Sequence, residues 1–187
     1  LIIRNVPHLP DWGQEVFGSD YLLTSSGQSA YTAFALRKYN VPTGIIGNVG
    51  DDIYGHKIIT DLGNTGINTA EIEIVQKGKT GITVAVVRKD GERAFVSDPS
   101  SLVKFNRGMI ERHLELIQSA SFLCIVGTFF LPEFSFQDIR FCCEESQKTG
   151  CPTLLDTGWD PENWSAKTIR ELRGILRYVD YFIPNMD

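Results

Sequence analysis

The sequence predicts an α/β fold with a mainly parallel sheet. Three observations carry this. From residue 107 onward, short apolar runs alternate with amphipathic helical patterns. The same alternation appears between residues 20 and 66. A strictly alternating, turn-containing stretch separates the two. Strands alternating with helices build parallel sheets covered by helices, whereas tight hairpins build antiparallel ones.

Taken in order, "DYLLTS" reads as a strand leading into "SSGQSAYTAFALRKYN". Ser25 or Ser26 is expected to cap that helix, and Ala30, Ala33 and Phe34 give it a small apolar face. "TGIIG" is the next strand. A helix follows from about Asp52, with Gly55, Ile58, Ile59 and Leu62 at i, i+3, i+4 and i+7, ended by Gly63 and Gly66. "EIEIVQ" alternates strictly. "TGITVAVVRKDGERAFVSD" reads as a hairpin with Asp90-Gly91 as a two-residue turn. One face carries Thr83, Ala85, Phe95 and Ser97; the other carries Ile82, Val84, Val86, Ala94 and Val96. A helix from about Arg107 aligns Ile110, His113, Leu114 and Ile117. "FLCIVG" is a buried strand, "FSFQDIRFCCEESQK" a helix, and "PTLLDT" a strand. "SAKTIRELRGILRY" is a helix aligning Ile169, Leu172 and Leu176, and "VDYFIPN" is the last strand.

With 187 residues the chain can form one domain with a real core. The net charge of −5 argues against a general nucleic-acid binder, which needs clustered Lys and Arg. No apolar run approaches the roughly 20 residues of a membrane span. Cys124, Cys142, Cys143 and Cys151 form no C-x-x-C pair and have no histidine at metal-ligand spacing, so they read as small buried hydrophobes of a reducing compartment. His113 falls on an apolar helix face and reads as a core or boundary residue. The chain opens inside a strand and stops just after one, so it is expected to be a fragment of a longer polypeptide, cut at both ends.

Ligands of open parallel sheets bind beyond the carboxyl ends of the strands. The tips are Gly47–Asp52, Gly127–Phe130, Asp156–Asp160 and Pro184–Asp187. They hold carboxylates but no Ser-His pair and no P-loop. "GIIGNVGDDIYG" lacks the Lys and Ser/Thr of a phosphate loop. It reads as a tight strand-to-helix turn, with Gly47 and Gly50 relieving strain and Asp51 or Asp52 capping the helix.

Five segments in order resemble the ribokinase-like (pfkB-type) carbohydrate kinase family. They are "SGQSAYTA" (Ser26–Ala33), "VGDDIYG" (Val49–Gly55), Thr80-Gly81 with "GER" (Gly91–Arg93), "DTGWDPENW" from Asp156, and Pro184-Asn185. The resemblance spans nearly the whole chain. It implies a Rossmann-like three-layer α/β sandwich, of which residues 1–187 form a part. A small β lid is implied from roughly Pro7–Thr24 and Thr80–Asp98 (residues 7–24 and 80–98). It also implies ATP and Mg²⁺, transfer of the γ-phosphate to a sugar hydroxyl, a cytoplasmic setting, and a homodimer formed through the lid. A nucleoside kinase or a non-catalytic sugar-binding or regulatory protein of the same fold are the alternatives.

The implied substrate-binding residues are Gly27, Tyr31, Ala85, Phe95, Ser97 and Thr128. Asp156 and Asn185 would face the nucleotide and Mg²⁺ without ligating the metal directly. Tyr31 replaces the family's sugar-binding Asn, and Ser26 the first glycine of its pair. Gly158 and Asp160 replace its D-x-N-x-R Asn and Arg. The family's catalytic Asp, in a G-A-G-D segment, is expected beyond Asp187. "DTGWD" (Asp156–Asp160) looks like that segment, but it lacks the paired glycines, carries bulky Trp159, and precedes the P-N position.

Overall fold

The computed structural model describes residues 1–184. A small four-stranded sheet has the order β2-β1-β5-β6. It comprises β1 (Ile2–Val6), β2 (Asp20–Leu22), β5 (Ile82–Arg88) and β6 (Arg93–Asp98). β1 runs parallel to β5, while β2 and β6 are antiparallel to their neighbours. β1, which lies ahead of the expected lid segments, is therefore a central strand of this sheet. Between β1 and β2 the chain forms no strand.

The hairpin register pairs Thr83 with Ser97, Val84 with Val96 and Ala85 with Phe95, so the two faces are those the alternation predicts. The turn is longer than expected. The Arg88 amide donates to Glu92 O at 2.8 Å, which leaves Lys89, Asp90 and Gly91 as a three-residue loop with Gly91 at φ 92°. A left-handed glycine closing a three-residue loop matches strand twist as a two-residue primed turn does.

The remaining strands are parallel. β3 (Gly47–Gly50) pairs with β4 (Ile72–Val75), and β7 (Leu123–Val126), β8 (Thr153–Asp156) and β9 (Tyr181–Phe182) form a second parallel ribbon. The strand expected over "TGIIG" begins only at Gly47, because the pairing partner Ile72–Val75 matches Gly47–Gly50.

Two helices, α1 (Gln28–Lys38) and α2 (Ile53–Asn64), pack on the first ribbon. Their core joins Ala30, Ala33, Val49, Leu62, Ile67 and Ile72, with Phe34, Ile58 and Ile59 against it. The capping expectation for α1 is overturned. Gly27 is the N-cap and no side chain caps the helix, because the Ser25 hydroxyl donates to Asp61 Oδ2 at 2.5 Å instead.

A larger core unites β7 and β8 with α3 (Arg107–Arg112), α4 (Leu114–Ser119), α5 (Phe136–Gln147) and α6 (Ala166–Ile175). The single helix expected from Arg107 is broken at His113 (φ −120°, ψ 23°), whose ring lies 3.2 Å from Glu73 Oε1. On α6 the buried positions are Thr168, Leu172 and Ile175, and Ile169 faces solvent. A capping box between Ser135 and Asp138 starts α5. The cysteines are free thiols, buried except for the half-buried Cys124. Burial pushes Cys142 up to about 12 and Cys143 to about 11, so both behave as hydrophobes.

Candidate functional site

The N-terminus of α1 opens the site. Gly27 sits at φ 109°, ψ 150°, a region that side chains rarely enter, and open space lies where its β-carbon would be. The first-turn amides of α1 carry no side-chain cap, so donors and the positive end of the helix face that space.

The tips of β7 and β8 stand against this helix start. The chain leaves β7 through Gly127 (φ 70°) and β8 through Gly158 (φ 75°). The Gly127 amide donates to Asp156 O at 2.9 Å, which keeps the two tips side by side. Thr128 is buried at 4 % exposure, and its hydroxyl has no partner among the described residues. Phe129 anchors the loop edge-on to Phe136 and Trp164, at 6.0 Å and 5.5 Å between ring centres.

Asp156 Oδ1 accepts the Gly158 amide at 3.0 Å, and Oδ2 accepts Gln28 Nε2 at 3.4 Å. One carboxylate oxygen thus ties down its own loop, and the other faces α1. The structure brings Gly27, Thr128 and Asp156 together at one end of the parallel ribbons. Tyr31, one turn into α1, is 52 % exposed. Ala85, Phe95 and Ser97 share one face of the small sheet. Ala85 is buried, Phe95 is 59 % exposed, and the Ser97 hydroxyl pairs with Thr83 at 2.9 Å. Asn185 lies outside the described residues.

A cavity of about 60 Å³ separates the root of the small sheet from α2, lined by Leu23–Ser26, Tyr54, Lys57 and Gly81–Thr83 among others. It adjoins Gly27. A wider concavity of about 500 Å³, lined by Leu1, Ile3 and Gly18–Tyr21, is on the small sheet, away from the strand tips. Neither cavity is lined by Thr128 or Asp156.

Two candidate segments prove structural. The carboxylate of Asp160 is sealed at 2 % exposure and accepts the amides of Glu162 (2.9 Å) and Trp164 (2.8 Å). It holds the loop that follows β8, and its burial keeps it away from a reacting hydroxyl. In "GNVGDDIYG", Asp52 is the N-cap of α2, accepting the Gly55 amide at 2.8 Å and the Tyr54 amide at 3.1 Å. Gly50 and Gly55 are required by close backbone approach: a β-carbon on Gly50 would lie 2.3 Å from the Lys79 carbonyl carbon, and one on Gly55 2.1 Å from Gly50 O. Gly47 meets no such crowding.

Gln28 is the site residue that sequence reasoning missed. Its partner Asp156 is 128 positions away, and the only local signal was its place just after Gly27. Among the described residues, no three of His, Cys, Asp and Glu gather as a metal site. Asp156 has an oxygen turned toward α1, and Mg²⁺ is commonly held by one or two carboxylates together with substrate phosphates.

Comparisons with known proteins agree on the fold. The ribokinase of Giardia lamblia superposes with a TM-score of 0.75 at 20 % identity, covering 99 % of this chain and 56 % of that one. The Arabidopsis thaliana ribokinase solved with ribose and ATP gives 0.71 at 18 % identity, covering 98 % and 67 %. In sequence, the 5-dehydro-2-deoxygluconokinase of Geobacillus thermodenitrificans is 24 % identical over 142 residues, 75 % of this chain and 42 % of its own length. The Schizosaccharomyces pombe ribokinase is 19 % identical over 182 residues, 94 % of this chain and 53 % of its own. The chain thus spans about half the length of these relatives. With the ribokinase-like α/β fold in place, and the family model for pfkB carbohydrate kinases matching residues 13–187, the chain belongs to the pfkB carbohydrate kinase family.

Proposed function

We propose that these residues form the sugar-binding part of an ATP-dependent sugar kinase. The observation that carries the reading is the meeting of α1's uncapped N-terminus, through Gln28, with the Asp156 carboxylate and with Gly127 at the tips of β8 and β7. A sugar hydroxyl is both donor and acceptor. Amides at a helix start and a carboxylate together can satisfy both roles.

Gly27 and Tyr31 would bind the sugar from α1, and Thr128 from the tip of β7. The face of the small sheet that carries Ala85, Phe95 and Ser97 would close over it and exclude water. Phe95 would offer an aromatic surface to the apolar side of a sugar ring. Asp156 and Asn185 would lie toward the nucleotide, with Asp156 holding a metal-bound water. Mg²⁺, when bound with ATP, would neutralise charge on the transferring phosphate. The proton of the attacking hydroxyl would go to a base outside residues 1–187, since the Asp160 carboxylate is taken up by its own loop. The exposed small sheet would pair with its copy in a homodimer.

A coupled ADP-release assay of the full-length polypeptide over a panel of sugars and nucleosides tests this. Turnover that depends on a sugar is the expected result. Turnover with nucleosides alone would move the reading to the nucleoside kinases, and none with any acceptor would favour a binding protein.

A further inference from the structure

Gln28 belongs to the first turn of α1, yet its side chain ends between the tips of β7 and β8. Its Nε2 donates to Asp156 Oδ2 at 3.4 Å. Its Oε1 is buried against Gly127 and Gly158: a β-carbon at these positions would lie 2.7 Å and 2.9 Å from that oxygen. Both glycines have left-handed backbones, at φ 70° and 75°. The slot exists because the chain leaving each of two neighbouring strands passes through a glycine, Gly127 after β7 and Gly158 after β8. The reverse amide orientation would set an acceptor against a carboxylate, so the N–H side faces Asp156. Asp156 is then held by two donors, the Gly158 amide on Oδ1 and Gln28 on Oδ2.

We infer that Gln28 is a positioning residue: it orients the Asp156 carboxylate and keeps the start of α1 in register with the β7 and β8 tips, and Gly127 and Gly158 make room for it. Its kinetic consequence rests on the sugar-kinase reading. A residue acting through Asp156 affects the chemical step, whereas one that binds the sugar itself affects KM.

The test compares the full-length wild type with Gln28→Met, Asp156→Ala and the double variant. Methionine keeps the length and flexibility of glutamine but has no N–H. Gln28→Met should lower kcat roughly tenfold, in line with the cost of misplacing a site group, with sugar KM little changed. The double variant should be no slower than Asp156→Ala alone. Multiplying losses, or a raised KM with intact kcat, would overturn the inference. If Gln28→Met does not fold, Gln28→Leu, which removes the donor without adding charge, is read in the same way. If the wild type turns over no sugar, the sugar-kinase reading fails, and the inference is judged from thermal unfolding of the same proteins: coupled Tm shifts support it and additive shifts overturn it.

Discussion

Thr80 gives both its amide and its hydroxyl to the Asp52 carboxylate, at 2.8 Å and 2.6 Å. The same carboxylate caps α2, so one side chain joins a helix start to the segment that enters β5. Asp52→Ala removes the cap and leaves the Thr80 amide and hydroxyl without their acceptor. It should destabilise the protein by about 2–3 kcal/mol, read by denaturant unfolding. A change within about 0.5 kcal/mol, usual for a surface site, would show the junction to be incidental.

Acid should weaken the fold through three carboxylates. Partial burial opposes ionisation of Asp52, but the Thr80 hydroxyl and amide, with the Gly55 and Tyr54 amides, hold it below its usual 3.8. Lys57 and Ser25 do the same for Asp61, below 3.8, and Arg112, bidentate at 2.9 Å and 2.8 Å, does so for Glu73, below 4.5. A carboxyl whose folded pKa is depressed binds fewer protons folded than unfolded. The stabilisation is full above the unfolded values and is lost as pH falls through 4.5 for Glu73 and 3.8 for the aspartates, down to the folded values. Tm should therefore be flat near neutrality and fall below about pH 5, and Glu73→Gln should flatten the upper part of the fall. An unchanged acid limb in Glu73→Gln would remove the Arg112 pair from this account.

Gly158→Ala places a methyl group 2.9 Å from Gln28 Oε1, on a backbone at φ 75°. Left-handed strain of about 1–3 kcal/mol and displacement of Gln28 should both follow. The loss of stability should be smaller in a Gln28→Ala background, where only the backbone strain remains. An equal loss in both backgrounds would mean that the glutamine does not occupy the slot in solution.

Tyr31→Phe in the full-length protein should raise the sugar KM several-fold, as expected for one lost substrate hydrogen bond of about 1 kcal/mol, with little change in kcat. Tyr31 is half exposed and outside both cores, so the variant should fold normally. Unchanged sugar kinetics would take Tyr31 out of the pocket.

The legible parts of the fold are those whose signal is local. Gly55, Ile58, Ile59 and Leu62 mark the inner face of α2, and alternation in residues 82–98 marks both faces of the hairpin. What escaped depends on distant partners. Ser25 does not cap α1 because Asp61, 36 residues away, takes its hydroxyl. The strand near Gly47 was misplaced because its bounds are set by pairing with Ile72–Val75. The helix from Arg107 breaks at His113, whose ring turns to Glu73 on another strand. At the candidate site, strand-tip reasoning picked Gly127–Phe130 and Asp156–Asp160 and the family resemblance named Thr128 and Asp156, while Gln28 became visible only once Gly127 and Gly158 stood beside it.

The central claim is that residues 1–187 bind and orient the sugar in a kinase whose base lies elsewhere in the polypeptide. Sugar-dependent ADP release, measured side by side for the full-length protein and for residues 1–187 alone, tests it most directly. Turnover by the full-length protein and none by residues 1–187 is the predicted result, because loss of a base and its charge-stabilising donors costs orders of magnitude in rate. Sugar-dependent turnover by residues 1–187, abolished by Asp160→Asn, would contradict it.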